Sequence, residues 1–277
     1  MKKKMIFLAI GLILFPVILI YRSTFLWLFE RYTAADTYYS HGFLVPLVTG
    51  VLIWLKRDEL KGKKWEFSRL GLSLIIISLM IHFLSIMLEV FFVSGFSILM
   101  LVFGISLFLF GRNITKKILF PLSFLIFMFP LPLVAINAIS FPMKLFVTRC
   151  VVFVLQSALN FPVRNEGFEV FFPNGTMVVE NPCSGLRSLI VMLALGSIFA
   201  YLLKEKAIKR IALFLCTIPI ALIANISRVL LLSLVLYIYG PETTKGFIHD
   251  FSGFLMFAIA FVGLWLLWGV FQCKDSG

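Results

Sequence analysis

Eight apolar runs, at residues 5–21, 43–55, 71–91, 92–111, 118–136, 185–203, 211–238 and 252–271, constrain this chain more than any other feature. A helix needs about 20 apolar residues to cross a hydrocarbon core about 30 Å thick, and most of these runs approach or exceed that length. In lipid every backbone N–H and C=O must be satisfied within the protein, which leaves helices or closed barrels. None of the runs shows the alternation of a membrane barrel strand. The fold class is therefore all-α: a polytopic membrane protein with about eight transmembrane helices. A composition of 61% hydrophobic and 14% charged residues agrees, and it excludes an ordinary soluble domain. The second run is short and extends outward through Tyr38 to Gly42.

A net charge of +12 would point to nucleic acid in a soluble protein. Here the basic residues sit in short clusters between the runs: MKKK, KRDELKGKKWEFSR, RNITKK, KEKAIKR and the tail with Lys274. With a cytoplasmic N-terminus, all of these fall on the inner side and carry most of the chain's 25 Lys and Arg, as the positive-inside rule requires. Both termini are accordingly placed in the cytoplasm, in a multi-pass protein of the cytoplasmic (inner) membrane that binds no nucleic acid. The basic start has no small-residue cleavage site after its apolar stretch and reads as an uncleaved first span. Four cysteines without CxxC pairing imply neither a metal site nor a disulfide framework, and no cofactor is expected.

One long connection, residues 133–184, separates the fifth and sixth runs. Residues 133–160 are apolar enough to be a further span, but an extra crossing would turn KEKAIKR outward. An interfacial helix with Lys144 and Arg149 at the water line avoids that. Downstream, two β-rich runs flank Pro-Asn-Gly, and Asn174 and Gly175 both tolerate positive φ, which predicts an extracytoplasmic β-hairpin over 168–180. Such a hairpin could add an extended peptide as a further strand. The whole chain, 1–277, is read as one integral membrane domain with no soluble accessory domain.

Several polar residues stand where lipid should exclude them. Cys183, in ENPCSGLRSL, is expected in the first turn of the helix 185–203, where unpaired amides and the helix dipole stabilise a thiolate. Arg187 follows four residues later and would share its face. Asn225 and Arg228 lie three apart inside the seventh run, and an arginine there costs several kcal/mol or more unless it reaches water or a partner. His249 opens the last run on the outer side, and His41 in YYSHGFLVP is a rival base. His82, mid-run, is expected to hydrogen-bond between helices. A thiol, an imidazole and a fixed cation together form a set for acyl transfer through a thioester.

In order along the chain, YSHGFLVP, CSGLRS from Cys183, NISR ending in Arg228 and HDFSG from His249 resemble the exosortase and archaeosortase family of membrane cysteine transpeptidases. The resemblance covers essentially the whole chain. It implies Cys183 as nucleophile, Arg228 as the cation and His249 as the third member. Beside these, the residue pattern itself offers Ser184, Arg187, Asn225, His41, Asn174 and Gly175 as supporting or substrate-contacting positions. The substrates it implies are secreted proteins bearing a C-terminal signal of a short motif such as PEP, a transmembrane stretch and a basic cluster. Cleavage on the extracytoplasmic face would pass the product to an acceptor such as a lipid or saccharide. In many members a glutamate stands close before the cysteine, whereas here Asn181 and Pro182 separate Glu180 from Cys183. A transporter or polysaccharide-export component, which also carries polar groups inside its spans, is the alternative reading.

Overall fold

The computed structural model describes residues 15–34, 37–61, 63, 66–179, 185–240, 243 and 246–273, and the side chains of His249, Asp250 and Cys273 lie outside that description. The chain divides into two compact units, residues 1–131 and 132–277. Five helices among the described residues are long and apolar enough to cross a membrane, and three shorter apolar helices accompany them. The protein is an all-helical polytopic membrane protein with one small sheet.

In the first unit, helix α1 (Arg22–Thr33) leads through a 3-10 turn (Ser40–Phe43) into α2 (Leu44–Leu55). Helices α3 (Arg69–Met87) and α4 (Phe91–Lys117) form a tight antiparallel hairpin. Lipid tails are as apolar as the side chains, so close packing rather than water exclusion drives helices together here. Glycine supplies the closeness: a Cβ on Gly71 would collide with the Phe108 backbone, and one on Gly104 would press on Ile75. Between the helices lies a buried polar chain. The His82 ring bonds the Ile20 carbonyl through Nε2 at 3.0 Å and the Ser94 hydroxyl through Nδ1 at 2.7 Å, while Tyr21 meets Ser97 at 3.0 Å. The carbonyl must accept, so Nε2 carries the proton. His82 is the interhelical bond the sequence predicts.

The fifth run departs from expectation. Instead of one span over 118–136 it forms a short helix α5 (Leu119–Phe124), a 3-10 turn (Leu125–Met128) and an extended stretch through Pro130 and Pro132. Proline lacks the N–H for a helical bond and biases the residue before it to extended geometry, so the helix cannot run through FPLPL. The stretch is pinned instead. Tyr32 donates to the Met128 carbonyl at 2.6 Å, and the Tyr39 hydroxyl accepts the Leu131 N–H at 3.2 Å.

The second unit opens with α6 (Leu133–Ser157), which continues into a sheet of β1 (Arg164–Glu166), β2 (Glu169–Phe172) and β3 (Gly175–Val178), in that order and antiparallel. Helices α7 (Leu186–Leu202), α8 (Ala207–Tyr239) and α9 (Phe247–Cys273) complete it. Helix α6 is among the five helices of spanning length. Val147, Val151 and Leu155 cluster with Val229 and Leu236 of α8, and Phe161 stacks on Tyr237 at 4.1 Å. Phe141 and Lys144 meet Phe168, which packs on the same cluster.

The sheet holds one strand more than the expected hairpin. Its β1–β2 turn is Gly167–Phe168, with Gly167 at φ 61°, the Gly-first signature of a type II′ turn. The expected hairpin is β2–β3, but its two-residue turn is Pro173–Asn174, and Asn174 does not take positive φ. Proline fixes the turn, and the Asn174 amide is used otherwise, donating to the Tyr237 carbonyl at 2.6 Å.

Gly71→Ala should lower the thermal unfolding midpoint of the detergent-solubilised protein by several degrees, since overpacking of this kind costs about 1–3 kcal/mol. Gly50→Ala, where nothing lies within 4 Å, should leave the midpoint unchanged or raise it.

Candidate active site

The site is assembled on α8. Asn225 and Arg228 stand one turn apart on its buried face, at 0% and 9% exposure. Each reaches a different neighbour. Arg228 Nε donates to the Ser252 hydroxyl on α9 at 3.2 Å, and Gly253 brings the α9 backbone against the guanidinium, where an added Cβ would sit 3.9 Å from Nη2. Asn225 meets the start of α7: a Cβ on Gly185 would lie 2.8 Å from Asn225 Nδ2. The residue type at 185 is thus dictated twice, by this approach and by its left-handed φ of 84°.

Helix α7 begins at Leu186 with Gly185 as its N-cap. Cys183, expected in the first turn of this helix, and Ser184 lie outside the described residues. The first turn of α7 is organised by the Gly185 carbonyl, which accepts from the Ser188 hydroxyl at 2.8 Å and from the Leu189 N–H at 2.8 Å. Arg187 is half-buried there, and its Nε, shielded from solvent, has no partner among the described residues.

His249 occupies the first turn of α9, three residues before Ser252, which places the two positions on one side of that helix. Asn174 and Gly175 serve the hairpin. Asn174 ties its turn to Tyr237, and Met177 Sδ accepts from the Ser233 hydroxyl at 3.8 Å. From Asn174 to Met177 the strand moves down α8 from Tyr237 to Ser233, toward the level of Arg228. His41 belongs to the other unit, in the 3-10 turn, where it stacks on Tyr39 at 5.8 Å between ring centroids. Cys150 and Cys216 are half-buried free thiols.

Sequence reasoning missed Ser252, Gly185 and Gly253. Ser252 carried a usable signal: a hydroxyl at i+3 from His249, in an otherwise apolar helix start. Beside Arg228 and Ser252, a cavity of about 320 Å³ opens between α8 and α9, walled by Leu231, Leu234, Leu255 and Ile259. Among the described residues no group of three or more His, Cys, Asp or Glu could hold a metal ion.

A family model described as transmembrane exosortase matches residues 27–266. The chain belongs to the transmembrane exosortase family. No curated protein and no solved structure matches it. The match takes in every candidate site residue, from His41 in the exosortase's first unit to Gly253 in its second. Chemically, an arginine held at Nε inside an apolar helix is a cation of fixed orientation, suited to an oxygen that develops negative charge.

Gly185→Ala should loosen the start of α7, because a non-glycine residue in the left-handed region under a close contact costs about 1–3 kcal/mol. Hydrogen exchange at the Leu189 amide should quicken roughly tenfold or more, with the α3–α4 hairpin unchanged. Unaltered protection at that amide would show that the contact with Asn225 does not hold this segment.

Proposed function

We propose that this exosortase is a cysteine transpeptidase of the extracytoplasmic membrane face. Its substrates would be secreted proteins with a C-terminal sorting signal, a short motif of the PEP kind followed by a transmembrane stretch and a basic cluster. One observation carries the reading: the chain just after Cys183 and the chain just after His249 each meet one of two residues that stand a turn apart on α8. Gly185, two residues after Cys183, abuts Asn225, and Ser252, one turn after His249, holds Arg228. Two residues of chain reach at most about 7 Å, and one helical turn rises about 5 Å. The segments that carry Cys183 and His249 thus start from neighbouring points on α8, which supports reading Cys183, His249 and Arg228 as one site.

In this mechanism the Cys183 thiolate attacks the carbonyl carbon of the scissile peptide bond. The carbonyl oxygen becomes an oxyanion, which Arg228 stabilises. As the C–N bond breaks, His249 delivers its proton to the leaving amine, and a thioester joins Cys183 to the new C-terminus. A lipid or saccharide acceptor carrying a hydroxyl or amine then attacks the thioester, gives its proton to His249 and releases the thiolate. No metal or cofactor is called for.

Two features support the membrane orientation. The basic clusters support cytoplasmic termini, and with them the Tyr239 end of α8 would lie outside. The hairpin tip sits at that end through Asn174 and Tyr237, where water could satisfy the open edges of the sheet. The family match runs through both units, which supports reading residues 1–277 as one functional domain.

Cys183→Ala and Cys183→Ser should insert normally and abolish conversion of a precursor carrying such a signal to its shortened form. Arg228→Lys should slow it by about 10²-fold or more, because a point charge does not reproduce the planar fork. Trapping the acyl-enzyme and sequencing the peptide on Cys183 by mass spectrometry tests the reading directly. Normal processing by the Cys183→Ala variant would refute it.

A further inference from the structure

The two edges of the small sheet are built differently. On β1 the outer edge carries Arg164 and Glu166, charged side chains of the kind that keep a strand edge from pairing with another chain. On β3 the outer edge is Gly175, Thr176, Met177 and Val178, without charge and without proline. Thr176 and Val178 are exposed, Val178 at 42%.

The register says which backbone groups face out. Phe172 and Gly175 flank the two-residue turn and form the first hydrogen-bonded pair of the ladder, so Val170 and Met177 form the next. The bond from the Val179 N–H to the Phe168 carbonyl at 3.0 Å continues this alternation. Thr176 and Val178 fall at the intervening positions, where N–H and C=O point away from β2. No strand pairs with that edge among the described residues. It offers two donors and two acceptors in a row at the spacing of an extended chain.

The strand is also held in a particular place. Asn174 fixes it to Tyr237 and Met177 rests on Ser233, five residues above Arg228 on α8, a rise of about 7.5 Å. A strand advances about 3.3 Å per residue, so a peptide lying along β3 comes level with Arg228 within two or three residues of leaving it. We propose that the outer edge of β3, through the backbone of Thr176 and Val178, binds the extended segment of the substrate next to its scissile bond as a fourth strand. The inference rests on the transpeptidase reading and adds to it the place and register of the substrate. Main-chain pairing of this kind tolerates varied side chains and demands an extended backbone, free of proline at the paired positions.

The test uses the full-length protein in its own membrane. Thr176→Pro and Val178→Pro each remove one outward N–H while sparing the bonds to β2, and an edge strand accepts proline there. Each should cut the yield of peptide trapped on Cys183 about tenfold, the equivalent of one or two hydrogen bonds. Thr176→Val, which changes only the side chain, should leave it near wild type. Independently, the photocrosslinking residue p-benzoylphenylalanine at 176 should capture the same peptide that Cys183 traps, and at 165 on the opposite edge it should not. Wild-type yields from both proline variants, or crosslinks from 176 to a second copy of this chain, overturn the inference. A Cys183 that traps no peptide in the wild-type protein instead removes the transpeptidase reading on which it stands.

Discussion

An arginine buried in an apolar helix must be given partners or a route to water, and the architecture of the second unit follows from meeting that demand at Arg228. One partner is Ser252, whose hydroxyl accepts from Arg228 Nε at 3.2 Å across the α8–α9 contact. One turn below, Asn225 admits the glycine that caps the start of α7. Two close contacts on one face of one helix thus draw together chain segments that are distant in sequence. The cost of the charge is what makes a chemical role a better account of it than packing.

The first unit solves a similar problem without any chemistry. His82, Ser94, Ser97, Thr24 and Tyr21 are buried in apolar surroundings, and each finds a partner on another helix or on the backbone. A closed neutral network of this kind fixes helix register. The contrast with Arg228 separates a structural polar cluster from a candidate reactive one: the first closes on itself, while the second lies beside an open cavity and beside the residues that flank a thiol and an imidazole.

Much of this was legible in the residues because lipid is a strict solvent. Long apolar runs have no alternative to helix, and the polar residues inside them stand out, so α3, α4, α8 and α9 and the pair Asn225 and Arg228 could be read directly. Where local chemistry competes with hydropathy, the reading fell short. Hydropathy continues unbroken through FPLPL, yet two prolines forbid the helix, and the expected fifth span became a short helix and an extended strap. Gly185 lies in an apolar stretch that reads as helix, but a side chain approaching from α8 selects a left-handed residue there, which becomes the N-cap of α7. Gly-Phe at 167–168 carries a turn signal, but three polar residues, Arg164 to Glu166, do not resemble a strand until β2 is there to pair with them.

Helix α8 gives the second unit a common ruler. Asn225, Arg228, Ser233 and Tyr237 hold, in order, the start of α7, the first turns of α9, the middle of β3 and the tip of the hairpin. From the first to the last is twelve residues, a rise of about 18 Å along a rigid element. A peptide held by β3 and a carbonyl presented to Arg228 would therefore be registered on one helix, and no loop would have to set the distance between recognition and chemistry. Rigid spacing favours an extended peptide of defined length over a compact one, because each residue of slack would cost entropy at the reacting bond.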